Sequence, residues 1–186
     1  MAITKISELT SAIRTGARSN LFRVSFPDFK DTEFAGVVEQ FSFLCKGAQL
    51  PGSTLGLIEV PFQAGRRFKL AGDRTFPEWT TTIINDANQT VRAALEALQR
   101  QYGLTDYETT TSKILTGASE TEFTTLQVEQ FDQAGLVSCT YQLINCWPTD
   151  ISTLDLSYDS TDTIEEFTVT WAYDYYTTVF RNEGAY

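Results

Sequence analysis

The chain has 186 residues, a formal net charge of −10 and no histidine. This length fits one domain with a substantial core. The absence of histidine removes the commonest general base and the Ser–His and Cys–His nucleophile pairs, though not every enzyme class. We expect a protein that is not an enzyme. Aromatic residues make up 13% of the chain. Because Phe, Tyr, Thr and Val suit half-buried pleated surfaces, the composition predicts a mainly β protein.

The negative charge is concentrated in the last third of the chain. Residues 120–186 carry twelve acidic residues and one basic residue, whereas residues 1–119 carry twelve acidic and thirteen basic residues. Two interpretations remain open: a solvated surface that resists aggregation, or one acidic side of an assembled particle. Tight, sequence-independent binding of a phosphate backbone is not expected, because it needs clustered Lys and Arg.

The cysteines and carboxylates form no recognisable metal or disulfide pattern. Three cysteines without a CxxC pair indicate reduced thiols in a cytoplasmic setting: Cys45, Cys139 and Cys146. Asp155, Asp159 and Asp162 lack the Gly and the closing Glu of a calcium loop. We therefore expect no metal and no cofactor.

The sequence contains no recognisable targeting or membrane-spanning signal. Residues 1–20 contain no apolar h-region, and no apolar run approaches the roughly 20 residues that span a bilayer. We expect a soluble protein without a membrane-spanning segment, made in the cytoplasm.

The first half of the chain is predicted to hold strands around an extended excursion. Alternating apolar residues predict strands at 21–26, 37–45, 68–70 and 76–84. Residues 4–15 have helical spacing but are few, so a docked or flexible arm and a stable helix are both open, and residues 1–20 are called the N-terminal arm. Between residues 50 and 69, Pro and Gly recur as in edge hairpins or extended loops. Asp73 is placed in a tight turn after Gly72, with Arg74 as its charge partner.

One helix is predicted, over residues 87–102. Val91, Leu95 and Leu98 belong to its apolar stripe, and Asn85 or Asp86 can cap its first turn. The following residues, 104–119, are polar and Thr-rich. They are interpreted as a surface-loop insertion.

Four strands are predicted to close the chain. Residues 123–131 and 136–146 flank a turn, and 154–158 pairs with 167–175 through a short linker. Trp147 and Pro148 are interpreted as the end of a strand. Because the sequence has no long repeat and no low-complexity linker, residues 1–186 are predicted to form a single domain.

The only basic cluster lies at residues 65–69 and has two interpretations. It is either an ordinary solvated strand or a contact with an acidic partner, for which the acidic last third of a neighbouring copy would serve. The candidate subunit-contact residues are Phe62, Arg66, Arg67 and Phe68.

Four separated segments resemble one known family. They are residues 17–24 (ARSNLFRV), residues 43–46 followed by Leu50-Pro51-Gly52, residues 60–86 with AGDRTF at 71–76, and residues 147–175. Together, and in this order, they are similar to the tail tube (inner tube) proteins of contractile-tailed bacteriophages.

The resemblance implies a fold and an assembly. In that family an antiparallel β-sandwich closes into a small barrel with one flanking helix. Such subunits form hexameric rings, which stack into a tube that conducts double-stranded DNA without specific binding. The implied partners are further copies of the chain and the sheath, baseplate and tape-measure proteins. The implied location is the virion tail, assembled in the host cytoplasm.

An acidic channel would suit this function, because like charge repels DNA. The candidate lumen-lining residues are the carboxylates of the closing strands: Asp155, Asp159, Glu166 and Asp174.

Three other functions remain open at this point. The same fold serves as a tail-completion or baseplate adaptor, which forms one ring without extended stacking. It also serves as the tube of a contractile injection system. An unrelated acidic β-sandwich, binding a ligand such as carbohydrate through exposed Tyr and Trp, is the third. Electron microscopy separates long polymers, single rings and monomers.

Overall fold

The computed structural model describes residue 6 and residues 16–26, 35–102, 124–159 and 161–181. Within these ranges the chain forms nine strands and two helices. The strands are β1 (Phe22–Ser25), β2 (Cys45–Ala48), β3 (Thr54–Pro61), β4 (Arg67–Thr75), β5 (Trp79–Ile84), β6 (Thr124–Phe131), β7 (Val137–Ile151), β8 (Glu166–Ala172) and β9 (Tyr175–Phe180). The helices are α1 (Ala35–Leu44) and α2 (Thr90–Tyr102). The N-terminal segment 4–15, apart from Ile6, and the predicted insertion at 104–119 lie outside the described residues.

Seven of these strands form one antiparallel sheet. Its strand order is β1-β6-β7-β8-β5-β2, with β9 also paired to β7, while β3 and β4 pair only with each other. The end strands β1 and β2 approach one another, so the sheet curls around its core. The expected mainly β, antiparallel fold is confirmed, with two described helices where one was predicted.

Strand β7 joins the two halves of the curled sheet. Its first part pairs with β6 and β9, and its last part pairs with β8. Between these parts Asn145 adopts a φ of 56°, and its side-chain amide donates to Asp174 at 2.7 Å. This positive φ and the associated register shifts let one strand serve both halves.

Two predicted strand boundaries are wrong in this region. Pro148 lies inside β7 and pairs with Trp171, next to a register shift that accommodates a residue without an N–H. The strand predicted at 167–175 is divided into β8 and β9 at Tyr173 and Asp174. The division lies opposite the bend at Asn145, where the Asp174 N–H donates to the Ile144 carbonyl.

The strand predicted at 37–45 is wrong, because most of it is helix α1. Alternation of Phe41, Phe43 and Cys45 suggested a strand, yet Phe43 is 86% exposed and Phe41 is buried. Val37, Phe41 and Leu44 have the spacing of one helical face, and all three pack in or against the core. Because α1 packs on β1 and α2, the segment forms a helix that buries Val37, Phe41 and Leu44, and not a strand.

The predicted helix is confirmed as α2, which begins at Thr90, three residues later than predicted, and covers one side of the core. Val91, Leu95 and Leu98 are buried, as their spacing predicts. The Asp86 carboxylate accepts hydrogen bonds from the backbone N–H and the hydroxyl of Thr90, each at 2.9 Å, which confirms its predicted capping role. Neither of the described helices is long and apolar enough to cross a membrane.

The predicted strand at 154–158 is also wrong. The residues between Ile151 and Glu166 that the structure describes form no strand. Leu156 and Tyr158 alternate with polar residues, but both are exposed and no described strand pairs with this segment. Without a partner strand to receive its backbone hydrogen bonds, an alternating segment does not form a ladder.

Candidate functional site

Metal-binding groups do not define a site in the described part of the chain. No group of three Cys, Asp or Glu side chains lies close enough there to hold a metal ion. The three cysteines are free and buried. Burial raises the pKa of the Cys45 and Cys146 thiols to about 12, so both remain protonated at neutral pH. The candidate site therefore lies on the surface.

The most exposed structural unit is the hairpin formed by β3, β4 and their connecting turn, Thr54–Thr75. Its strands pair with each other, and no other described element packs extensively against them. Every residue of β3 is exposed. Eight strand residues at about 3.3 Å each give the hairpin a length of about 25 Å.

One face of the hairpin is apolar along its length. The register pairs Ile58 with Leu70 and Val60 with Phe68, and directly paired residues share a face. These four residues, the apolar face, are 43–62% exposed, and Phe62 at the turn is 68% exposed. A contiguous exposed apolar surface marks an interaction site.

The opposite face of the hairpin is charged. Glu59 pairs in register with Lys69, and Arg67 donates to the Glu59 carboxylate at 2.6 Å. An exposed pair of this kind contributes only about 0–1 kcal/mol. Arg66 and Lys69 make no ion pair with any described residue. Since the hairpin contains four basic and two acidic residues, it presents uncompensated positive charge.

A close glycine contact shapes the hairpin near its base. A Cβ atom on Gly72 would lie 3.0 Å from the carbonyl carbon of Gly56, and the pairing shifts register between Leu55 and Leu57. The predicted turn at Gly72 and Asp73 is therefore wrong. Both residues lie inside β4, where glycine permits a bulge and a close backbone approach.

Arg74, at the base of the hairpin, contacts Phe76 and the sheet residue Tyr176. Its guanidinium lies 5.0 Å from the Phe76 ring centroid and 5.3 Å from that of Tyr176, and it donates to the Tyr176 hydroxyl at 3.1 Å. The same hydroxyl donates to the Ser53 hydroxyl at 3.3 Å. The predicted charge pair between Asp73 and Arg74 is wrong, because successive strand residues point to opposite faces.

A second exposed surface lies between β7 and β8. We call residues 152–165 the acidic loop. Leu154 packs against the core, whereas three further large apolar side chains are 72–107% exposed: Leu156, Tyr158 and Ile164. Residues 153–158 and 163–165 of the loop, together with Glu166 at the start of β8, line an open cleft of about 640 Å³. That volume is within the range of binding clefts, about 300–1,000 Å³.

The acidic loop contains four carboxylates and no basic residue. Glu165 accepts a hydrogen bond from the Asn85 side-chain amide at 2.9 Å. Asp155, Asp159 and Asp162 form no ion pair within the described ranges. The loop therefore combines exposed apolar side chains with uncompensated negative charge.

The hairpin and the acidic loop leave the sheet at opposite ends. The register of β5 with β8 pairs Trp79 with Trp171 at one end and Ile84 with Glu166 at the other. The hairpin precedes Trp79 in the chain, and the acidic loop precedes Glu166. Six paired residues at about 3.4 Å each separate the two ends by about 20 Å.

The structure brings one predicted set of site residues together and separates the other. Phe62, Arg66, Arg67 and Phe68 all lie in the outer part of the hairpin.

The four predicted lumen residues lie in three places. Asp155 and Asp159 belong to the acidic loop. Glu166 begins β8 and accepts a hydrogen bond from Lys46 at 2.5 Å, and Asp174 lies at the corner between β8 and β9.

Sequence reasoning missed most of the apolar face. Ile58, Val60 and Leu70 were not singled out, although residues 58, 60 and 62 and residues 68 and 70 alternate as a strand pattern requires. The alternation shows which residues share a face within each strand. Only the pairing register joins the two sets into one surface.

Comparisons with known proteins agree on one family and one fold. The family model described as phage tail tube protein matches residues 17–179. The tail tube protein gp19 of Enterobacteria phage T4 is 31% identical over 175 residues, covering 92% of this chain and 98% of the relative. The tail tube protein of Serratia phage KSP90 is 26% identical over 168 residues, covering 88% and 90%. A chain from the extended sheath–tube complex of an extracellular contractile injection system has the same fold, with a TM-score of 0.63, 17% identity and coverage of 95% and 99%.

Proposed function

The chain belongs to the phage tail tube protein family, and we propose that its copies close into hexameric rings that stack into the inner tube of a contractile tail. The tube conducts double-stranded DNA during ejection. Tape-measure protein and DNA occupy its bore in turn, a sheath surrounds it and a baseplate ends it. Assembly takes place in the host cytoplasm.

The exposed hairpin carries the proposal of self-assembly. A monomer that leaves the apolar face in water forgoes the hydrophobic stabilisation of burying it, about 25 cal/mol per Å². Burial against another copy recovers that free energy in every subunit of a ring or tube. Phe62, Arg66, Arg67 and Phe68, in the outer part of the hairpin, are the proposed contacts with a neighbouring copy.

A free sheet edge supports the same proposal. Strand β9 pairs with β7 along one edge, and no described strand pairs with its other edge. Three of its large side chains are 38–47% exposed: Tyr175, Val179 and Phe180. Because unpaired edges recruit strands from other chains, a closed ring is a natural way to satisfy this edge.

Purified protein is expected to form rings or tubes without added nucleotide or metal. Negative-stain electron microscopy over a range of protein and salt concentrations tests this. Long tubes support the tail tube function, and single rings without stacking would favour an adaptor ring of the same fold. Monomers under every condition would refute the proposal.

We propose in addition that the bore is acidic. Of the four carboxylates considered, Glu166 and Asp174 belong to the sheet and its corner, so they are assigned to the bore. Asp155 and Asp159 belong to the acidic loop and are not assigned to the bore. Repulsion of DNA by bore carboxylates is screened over about 8 Å at physiological salt, which prevents adhesion without blocking passage.

Reversing these two charges is expected to make the bore retain DNA. Subunits carrying Glu166→Lys and Asp174→Lys, assembled with short double-stranded DNA, should protect part of that DNA from nuclease, whereas wild-type tubes should protect none. Glu166→Lys places two cations side by side at Lys46, and Asp174→Lys removes the acceptor of the Asn145 amide. Because Glu166 also lines the cleft of the acidic loop, electron microscopy first checks that the variant forms tubes.

A control variant matches the charge change elsewhere on the subunit. Glu39→Lys with Glu96→Lys alters two carboxylates on α1 and α2 and should leave DNA unprotected. Equal protection by both variants, or by neither, would contradict the assignment of Glu166 and Asp174 to the bore.

A further inference from the structure

We propose that the hairpin of one copy docks into the acidic loop of the next copy, and that this contact stacks the subunits head to tail. The inference rests on the proposed tube function and identifies the surface that receives the hairpin. The occupant of the cleft in the acidic loop is therefore a second copy of this chain.

The two surfaces are complementary in charge. Arg66 and Lys69 on the hairpin have no ionic partner within the described residues, and neither do Asp155, Asp159 and Asp162 on the acidic loop. Contact between copies pairs these groups. Complementary charges of this kind align two surfaces and suppress other pairings.

The two surfaces also match in their apolar parts. The apolar face and Phe62 of the hairpin are exposed, and so are Leu156, Tyr158 and Ile164 around the open cleft of about 640 Å³. The hairpin has one apolar and one charged face, and the acidic loop has exposed apolar side chains and carboxylates. Each surface therefore offers both apolar and charged groups to the contact, as protein interfaces do. Neither surface is covered by another described element.

Their placement determines what kind of polymer the contact makes. Because the hairpin and the acidic loop leave opposite ends of the β5–β8 pair, a single subunit cannot satisfy one with the other. A contact between two different surfaces is heterologous, and its repetition gives either a closed ring or an open linear or helical assembly, depending on the rotation between copies. Because the two surfaces lie at opposite ends of the β5–β8 pair, we assign this contact to successive rings along the tube axis.

A charge exchange tests the pairing. Arg66→Glu with Lys69→Glu, and separately Asp155→Lys with Asp159→Lys, should each raise the protein concentration needed for tube formation by at least about tenfold. The chain that carries all four substitutions should recover tube formation, because both surfaces are then reversed. Arg100→Glu, an exposed position on α2 outside both surfaces, serves as the control.

Cross-linking tests proximity independently. Gln63→Cys in the hairpin turn and Tyr158→Cys in the acidic loop, placed in one chain, should give a ladder of covalent multimers with a short bifunctional maleimide. The native thiols do not compete, because all three are buried. Each single-cysteine variant should give no ladder.

The outcomes separate this inference from the tube function. Recovery in the fourfold variant together with the ladder supports the docking contact. If wild-type tubes form but the acidic-loop variant also assembles normally and no ladder appears, the loop faces another component and the inference is overturned while the tube function stands. If the wild-type protein never assembles, the proposed function itself fails.

Discussion

Tube assembly is expected to be lost when the apolar face of the hairpin is made polar. The double variant Val60→Thr and Phe68→Thr changes a cross-strand pair whose side chains are 43% and 62% exposed. Burying two such side chains against a neighbour stabilises each contact by about 3 kcal/mol, so their loss weakens it more than about a hundredfold. Threonine retains the β-branched shape that suits a strand.

The fold of the subunit should survive this change. Because both side chains are exposed in the monomer, the free energy of unfolding should shift by less than about 0.5 kcal/mol. Sedimentation velocity and electron microscopy measure assembly, and urea denaturation measures stability. Leu136→Thr, at an exposed apolar position outside the hairpin, is the control and should assemble as the wild type does. Wild-type assembly by the double variant would show that this face is not an interface.

The largest loss of subunit stability is expected from Trp171→Ala. The Trp171 side chain is fully buried, its ring lies edge-on to Phe41 and tilted to Phe26, and its indole N–H donates to the Thr81 hydroxyl at 3.0 Å. Truncating a buried Trp to Ala costs about 3–5 kcal/mol. Since domains are stable by about 5–15 kcal/mol, much of the variant should be unfolded or insoluble.

A double-mutant cycle separates the buried hydrogen bond from the packing. Trp171→Phe or Thr81→Val alone leaves one buried polar group without this partner, at a cost of about 1–3 kcal/mol. The combined variant should lose less stability in urea denaturation than the sum of the two, because both polar groups are then absent. Additive losses would show that the hydrogen bond does not couple these residues, and a loss below about 1 kcal/mol for Trp171→Ala would contradict its place at the centre of the core.

The spacing of apolar residues predicted an element correctly where the neighbouring elements bury those same residues. In β1 and the residue after it, the alternation of Phe22, Val24 and Phe26 matches their burial. In α2 the stripe containing Val91 and Leu95 faces the core. The spacing failed at α1, where residues 37–45 satisfy both a strand and a helix pattern. There the choice depends on β1 and α2, which receive the buried side of the helix.

The candidate site was predicted in part for a similar reason. Phe62, Arg66, Arg67 and Phe68 are close in sequence, and a hairpin keeps them close in space. Ile58 and Leu70 are twelve residues apart and become neighbours only through the pairing register. The prediction of a strand at 154–158 was wrong because an alternating pattern shows only which side chains are apolar. It does not show whether a partner strand is present.

The sequence by itself determined the mainly β character, helix α2, the family resemblance and the uneven charge, because these follow from composition, local periodicity and short motifs. Only the tertiary structure decided that the basic, apolar hairpin and the acidic loop leave opposite ends of the sheet. That placement depends on the antiparallel register of Trp79 with Trp171 and of Ile84 with Glu166, residues more than eighty positions apart. Pairing over such separations is set by the packing of the whole core, and no local pattern encodes it.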